Sequence, residues 1–274
     1  MSSSSPDAGD GDAPSGGRLI VEEPAPGVAR LTISNPGKRG ALDHAILDGF
    51  TSTLPRLDAR CVVITGEQTT FSAGYDIGDL RGGGFQTDAE RLVAHPFTAA
   101  LEAVEAYPFP TLAALNGQTI GGGLELALAC DLRIAAGTIA LAMPPARLGL
   151  VYSHTGILKF IETIGAPRTR ELFLVGRRID ARTAREWGLV NAIAEDGRIA
   201  EEALELAKEI ASNAPLAQRG NKRVINAVLS ARAAMDPGTE RELIELRRAC
   251  FASEDFREGV RAFSEKRAPR WLGR

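Results

Sequence analysis

The chain has 274 residues, 44% of them apolar and 24% charged, with a net charge of −3. This is an ordinary globular balance, long enough for one large domain or two. The slight acidity gives no electrostatic pull towards nucleic acid or an anionic membrane, and no apolar run approaches the roughly 20 residues of a membrane span.

The opening stretch, MSSSSPDAGDGDAPSGG (1–17), has neither the basic flank nor the apolar core of a leader peptide, and its composition predicts a disordered tail. RLIVEE and GVARLTIS alternate as paired strands. ALDHAILDGFTSTL has helical spacing, with Leu42, Ile46 and Phe50 on one face. CVVITG (61–66) reads as a buried strand, followed by the turn FSAGYDI and a glycine-rich loop, RGGGF. HPFTAALEAVEAY is amphipathic and ends near Pro108 and Pro110, as a helix should. TLAALNG reads as a strand leading into three glycines and a helix, and DLRIAA and IALAMP as strands beyond it. After the helix TGILKFIETIG, the pattern from about residue 200 onward is helical only, with Asp180 and Ser253 as N-caps of flanking helices. Alternating strands and helices predict an α/β core over 18–199, and the helical remainder covers 200–274. Cys61, Cys130 and Cys250 lie far apart in apolar contexts, as reduced core residues of a cytoplasmic protein would. No CxxC and no His/Cys cluster points to a metal.

The richest stretch is TIGGGLELALACD (119–131). Glycine is costly inside a helix, so three at its mouth imply a backbone that must come close to something. The first N–H groups of a helix have no internal partner and lie at the positive end of its dipole, which suits an oxyanion. Glu125 falls in the first turn, where a carboxylate is favoured. The segment TFSAGYDIGDL (70–80) is a second turn of small residues after an apolar strand, so two turns are available to supply two N–H donors to one oxygen.

FSAGYDI and NGQTIGGGLELALACDLRIA together resemble the crotonase superfamily, the enoyl-CoA hydratase/isomerase family. NPGKRGALD (35–43), RIDARTAREWGLVNAI (178–193), SNAPLAQRGNKRVI (212–225) and FASEDFREGVRAFSEKRAPRW (251–271) extend the resemblance in order from about residue 19 to 274. It implies a ββα spiral core with a C-terminal helical region that builds trimers or dimers of trimers. It also implies a coenzyme A thioester as substrate, with no cofactor beyond the coenzyme A it carries. Two backbone N–H groups would hold the thioester oxygen as an enolate forms, and such donors supply ~3–4 kcal/mol each to a transition state. By motif position these are the N–H groups of Tyr75 and Gly122. A backbone donor tolerates a changed side chain, but a tyrosine where the family often has alanine is large enough to crowd the acyl pocket.

Hydratases of this family divide acid and base work between a glutamate in GGGxE and another in a later PE segment. The first is Glu125, whereas Pro145 stands at the second position, in LAMPPARLGLVYSHTG. Proline moves no proton. The pattern PPARLGLVY resembles the branch containing methylmalonyl-CoA decarboxylase, which carries a tyrosine at the position of Tyr152. Losing carbon dioxide makes an enolate without a base, so decarboxylation of a malonyl-type thioester is the leading expectation. Tyr152 would orient the carboxylate or supply the α-proton; a buried aromatic with a satisfied hydroxyl is the alternative. Hydration or isomerisation of an enoyl-CoA by Glu125, with Tyr152, His154 or water, is the second reading, and a catalytically silent acyl-CoA binder the third. His154 reads as a helix cap or loop residue, Asp76 as a turn residue, and His44 and His95 as structural. The resemblance carries Lys38, Ala41 and Leu42 over as lining for the coenzyme A groove. It also brings Phe263 and Lys266 to a neighbouring subunit's coenzyme A. Leu243, Leu246 and Phe251 form apolar stripes suited to subunit contacts.

Overall fold

The strand CVVITG is buried on both faces: Val62 and Ile64 enter one apolar cluster, Cys61 and Val63 another. A strand of this kind belongs inside a parallel sheet covered on both sides. The computed structural model, which describes residues 16–76, 96–232 and 235–274, supplies that cover. The first fifteen residues of the expected tail, the loop RGGGF and His95 lie outside the described residues.

Strands β1 (Arg18–Ala25) and β2 (Val28–Ser34) pair antiparallel at one edge of a six-stranded sheet. The sheet continues in parallel through β3 (Cys61–Gly66), β5 (Thr111–Leu115), β7 (Leu132–Ala136) and β10 (Ala192–Ala194). A four-stranded sheet has the order β4 (Thr70–Ser72), β6 (Gln118–Ile120), β8 (Ala140–Ala142), β9 (Ile179–Asp180). Each of the pairs β3–β4, β5–β6 and β7–β8 therefore places one strand in each sheet, and this alternation is the ββα spiral.

The helices are α1 (His44–Thr53), α2 (Pro96–Ala106), α3 (Gly122–Ala129), α4 (His154–Arg170) and α5 (Ala181–Trp187). They are followed by α6 (Ile199–Ser212), α7 (Pro215–Arg232), α8 (Pro237–Ala252) and α9 (Glu254–Ser264). Asp180 caps α5 by accepting from the Thr183 N–H at 2.8 Å, and Ser253 caps α9 by accepting from that of Phe256 at 3.0 Å. The helix α6, which opens the all-helical region, belongs to the core. Its Ala203, Ala207 and Ile210 share the outer cluster with Val63, Leu112 and Ile134, so the boundary at 199/200 falls where a core helix begins. Cys61 and Cys130 are buried free thiols, which burial pushes up to about 12. Among the described residues no helix is long and apolar enough to cross a membrane.

One polar junction ties the helical region to the core. Asp131, just after α3, accepts from the Thr111 N–H at 2.7 Å and the Thr111 hydroxyl at 3.0 Å. Its Oδ2 also takes the Lys222 ammonium of α7 at 2.7 Å, while Lys222 donates to the Phe109 carbonyl at 3.1 Å. Lys222 is buried, so Asp131→Ala strands a cation. Because Asp131 itself is partly solvated, we expect a loss of about 2–3 kcal/mol, below the range for a fully buried pair. This corresponds to a fall of roughly 5–10 °C in Tm by calorimetry; an unchanged Tm would remove the junction as a structural tie.

Candidate active site

The turn after β4 is held by backbone. Leu42 N–H donates to the Gly74 carbonyl at 2.8 Å, and Asp76 N–H donates to the Leu42 carbonyl at 3.2 Å. In such a parallel bridge the intervening residue, Tyr75, points its own N–H the other way, away from Leu42. Gly74 has φ +91, and a Cβ there would lie 2.8 Å from the Ile120 carbonyl and 3.2 Å from the Gly122 nitrogen. Glycine is thus required both by conformation and by the approach of the second turn.

That second turn opens α3. Gly121 is its N-cap, and the N–H groups of Leu124 and Glu125 both reach the Gly121 carbonyl, at 2.9 and 3.1 Å. A Cβ on Gly123 would lie 2.6 Å from the Ser72 Cβ, so the helix mouth sits directly on β4. Among the described residues neither Tyr75 N–H nor Gly122 N–H has a backbone partner. Two unengaged donors from adjacent turns are the elements of an oxyanion hole.

Both turns line a cleft of about 520 Å³. Of the residues expected at the site, Tyr75, Gly122, Tyr152, Lys38, Ala41 and Phe263 line it. Pro145 lines it too, where a second carboxylate would have stood. Lys38 pairs with Asp76 across the cleft wall at 2.5 Å, so Asp76 does more than shape the turn.

The other three expected residues, Leu42, Lys266 and Glu125, do not line the cleft. Leu42 does not line the groove: its side chain is fully buried in the core, and its contribution is the backbone clamp on the Tyr75 turn. Lys266 is exposed, with a left-handed backbone, and is not among the cleft residues. Phe263 lines the cleft of its own chain. The reason is that α9 folds back, with Phe256 edge-on to Phe251 at 5.1 Å and Gly259 tight against the Leu148 carbonyl. Phe251, Phe256 and Val260 complete this apolar wall. Sequence reasoning missed it, although Phe256, Val260 and Phe263 recur at helical spacing. His154 begins α4 and faces Glu240 of α8, 3.6 Å away, outside the cleft. A larger depression, about 660 Å³, lies among Glu258, Arg261 and Arg267 and contains none of the expected residues.

Glu125 is buried and does not itself line the cleft. The Tyr152 hydroxyl, at the cleft wall, donates to its Oε2 in a short hydrogen bond. The Tyr75 hydroxyl lies against that of Tyr152, completing a row from Tyr75 through Tyr152 to Glu125. Burial raises the Glu125 carboxyl from 4.5 to about 7, against the smaller lowering by the Tyr152 hydrogen bond and by Lys159. Burial, with Glu125 next to it, likewise holds both tyrosines well above their ordinary range, so both stay phenols. Among the described residues no group of acidic, His or Cys side chains gathers to hold a metal.

A family model described as enoyl-CoA hydratase/isomerase matches residues 23–274. YngF of Bacillus subtilis, which carries the name enoyl-CoA hydratase/isomerase, is 34% identical over 251 residues, spanning 90% of this chain and 95% of that protein. Carnitinyl-CoA dehydratase of Salmonella typhi is 31% identical over 265 residues, spanning 90% and 95%. Among solved structures, methylmalonyl-CoA decarboxylase in complex with 2-nitronate-propionyl-CoA superposes with a TM-score of 0.85 at 28% identity, covering 94% of this chain and 99% of that one.

The raised Glu125 value has a consequence for stability. The folded chain prefers the neutral carboxyl, so the stabilising contribution is complete below about pH 4.5 and is lost as pH rises towards about 7. Glu125→Gln keeps a neutral group of the same shape. In urea titrations the variant should gain on the wild type steadily between pH 5 and pH 7; parallel curves would show that Glu125 ionises normally.

Proposed function

Because the chain belongs to the enoyl-CoA hydratase/isomerase family, the crotonase superfamily, we propose that it decarboxylates a malonyl-type coenzyme A thioester, methylmalonyl-CoA being the best candidate. The observation that carries this reading is the position of the one expected carboxylate. Glu125 stands behind Tyr152 with an oxygen already engaged, and Pro145, which carries no proton, is among the residues that line the cleft. A hydratase needs a carboxylate that reaches water and the substrate carbons. A decarboxylase needs the two N–H donors and an acid, roles that Tyr75, Gly122 and Tyr152 would take here. The superposition with methylmalonyl-CoA decarboxylase supports the same choice.

In the proposed reaction the thioester oxygen accepts from the Tyr75 and Gly122 N–H groups. The bond from Cα to the carboxylate breaks, its electron pair enters the enolate, and carbon dioxide leaves. The Tyr152 hydroxyl then protonates Cα. Glu125, protonated below about pH 7, passes its proton to the Tyr152 oxygen and is restored from solvent, so one proton is consumed per turnover. With Glu125 neutral it is the donor in its bond to Tyr152, which frees the phenol proton for the cleft. Lys38, Arg39, Arg147 and Arg178 line the same cleft and offer positive charge to the coenzyme A phosphates.

Hydration of an enoyl-CoA is the second reading, favoured by the hydratase and dehydratase names among the relatives. A single panel separates the two. Incubated with methylmalonyl-CoA and crotonyl-CoA, the enzyme should release propionyl-CoA and leave crotonyl-CoA largely unhydrated. Tyr152→Phe should lower kcat by ~10²–10⁴, the usual contribution of a general acid. Brisk hydration without decarboxylation would overturn the proposal, and turnover of neither substrate would favour a silent binder.

We also propose that the protein works as a trimer or a dimer of trimers. Phe251 is covered within the chain, but Leu246 of α8 is 55% exposed, as are Leu216 at 81% and Val224 at 61% on α7. Apolar patches of this kind mark subunit contacts. Light scattering should return three or six times the 29.1 kDa chain mass; a fully active monomer would contradict this.

A further inference from the structure

The side chain of Tyr75 lines the cleft beside the mouth of α3. Its ring carbons Cε2 and Cζ are 3.2 Å from the position of a Cβ on Gly122, so the ring rests on the helix mouth beside the second N–H donor. Its other side meets Phe97 edge-on, with centroids 4.6 Å apart and planes at 69°. Phe97 is 2% exposed and belongs to the closed core with Ala100 and Leu101 of α2. The hydroxyl end abuts Tyr152, which is itself edge-on to Phe173 at 5.5 Å. The ring is therefore wedged on three sides, and behind it stands packed core.

We propose that Tyr75 is a specificity-determining residue: its ring is the floor of the acyl end of the cleft, admitting short acyl groups and excluding long straight chains. One residue thereby does two separable things, with its backbone N–H serving the thioester oxygen and its ring setting acyl size. This rests on the reading of the cleft as an acyl-CoA site and not on which reaction follows. A floor of packed rings rejects added methylenes through overlap, since neither Phe97 nor Gly122 has space to yield.

Equilibrium binding of saturated thioesters tests this without turnover, because propionyl-CoA and octanoyl-CoA can be neither decarboxylated nor hydrated. By titration calorimetry the wild type should bind propionyl-CoA at least ~10-fold more tightly than octanoyl-CoA, the discrimination a few methylenes give in a closed pocket. Tyr75→Ala should cut that ratio at least ~10-fold by admitting the longer chain, Tyr75→Phe should keep it, and Tyr75→Leu should fall between. Circular dichroism establishes that each variant is folded, and Tyr75→Leu replaces Tyr75→Ala if the latter is not. Equal wild-type affinity for both thioesters, or a ratio unchanged in Tyr75→Ala and Tyr75→Leu, would overturn the proposal. Binding of neither thioester nor free coenzyme A would overturn the acyl-CoA reading and the proposal with it.

Discussion

The site depends on the contact between two turns, one from each of two successive ββα units. Gly74 faces the Ile120 carbonyl and Gly123 faces Ser72 at distances that admit no side chain on either glycine. Leu42 fixes the first turn by two backbone bonds, and the Gly121 carbonyl gathers the first N–H groups of α3 at the second. In the proposed reaction, two donors brought together this way would need no reorganisation when charge develops between them, which would be the source of their catalytic value. The spiral matters here because it sets neighbouring strand ends of the small sheet side by side.

The proposed chemistry follows from what stands between Glu125 and the cleft. Tyr152 and Tyr75 face the space, and the carboxylate is behind them. Burial raises its carboxyl to about 7, and below that pH a neutral carboxyl beside a phenol can serve as a proton source. In the proposed reading the same two rings narrow the acyl end, so the groups that would favour protonation over abstraction would also favour a small acyl group. Reaction type and substrate size would then be linked through these side chains, whereas the proposed oxyanion hole would be indifferent to both.

Much of this was legible in the sequence because the signals were local. The alternation in β1 and β2, the caps at Asp180 and Ser253, and the glycines before α3 each depend on a few neighbouring residues. Motif position groups Tyr75, Gly122, Tyr152, Lys38 and Ala41 at one site, and they line one cleft. Leu42 shows the limit of motif position: its apolar spacing with Ile46 and Phe50 already placed its side chain in the core. Spacing puts Glu125 in the first turn of α3, within reach of a substrate at the helix mouth. It says nothing about rings arriving from Tyr75 and Tyr152, which are distant in sequence. Phe263 was harder still, because the direction in which α9 returns is set by packing against Leu148 and Phe251, and no local pattern encodes that.

The central claim is that Glu125, standing behind Tyr152, does not act as a base on the α-carbon of a bound thioester. The most direct measurement is α-proton exchange of propionyl-CoA in D₂O, followed by NMR with saturating enzyme. Tyr152 is a phenol held well above its ordinary range, so the account predicts exchange at least ~100-fold slower than carbon dioxide release from methylmalonyl-CoA under the same conditions. Exchange as fast as that release would contradict it, since it would place a working base, Glu125 or another, against the substrate carbon.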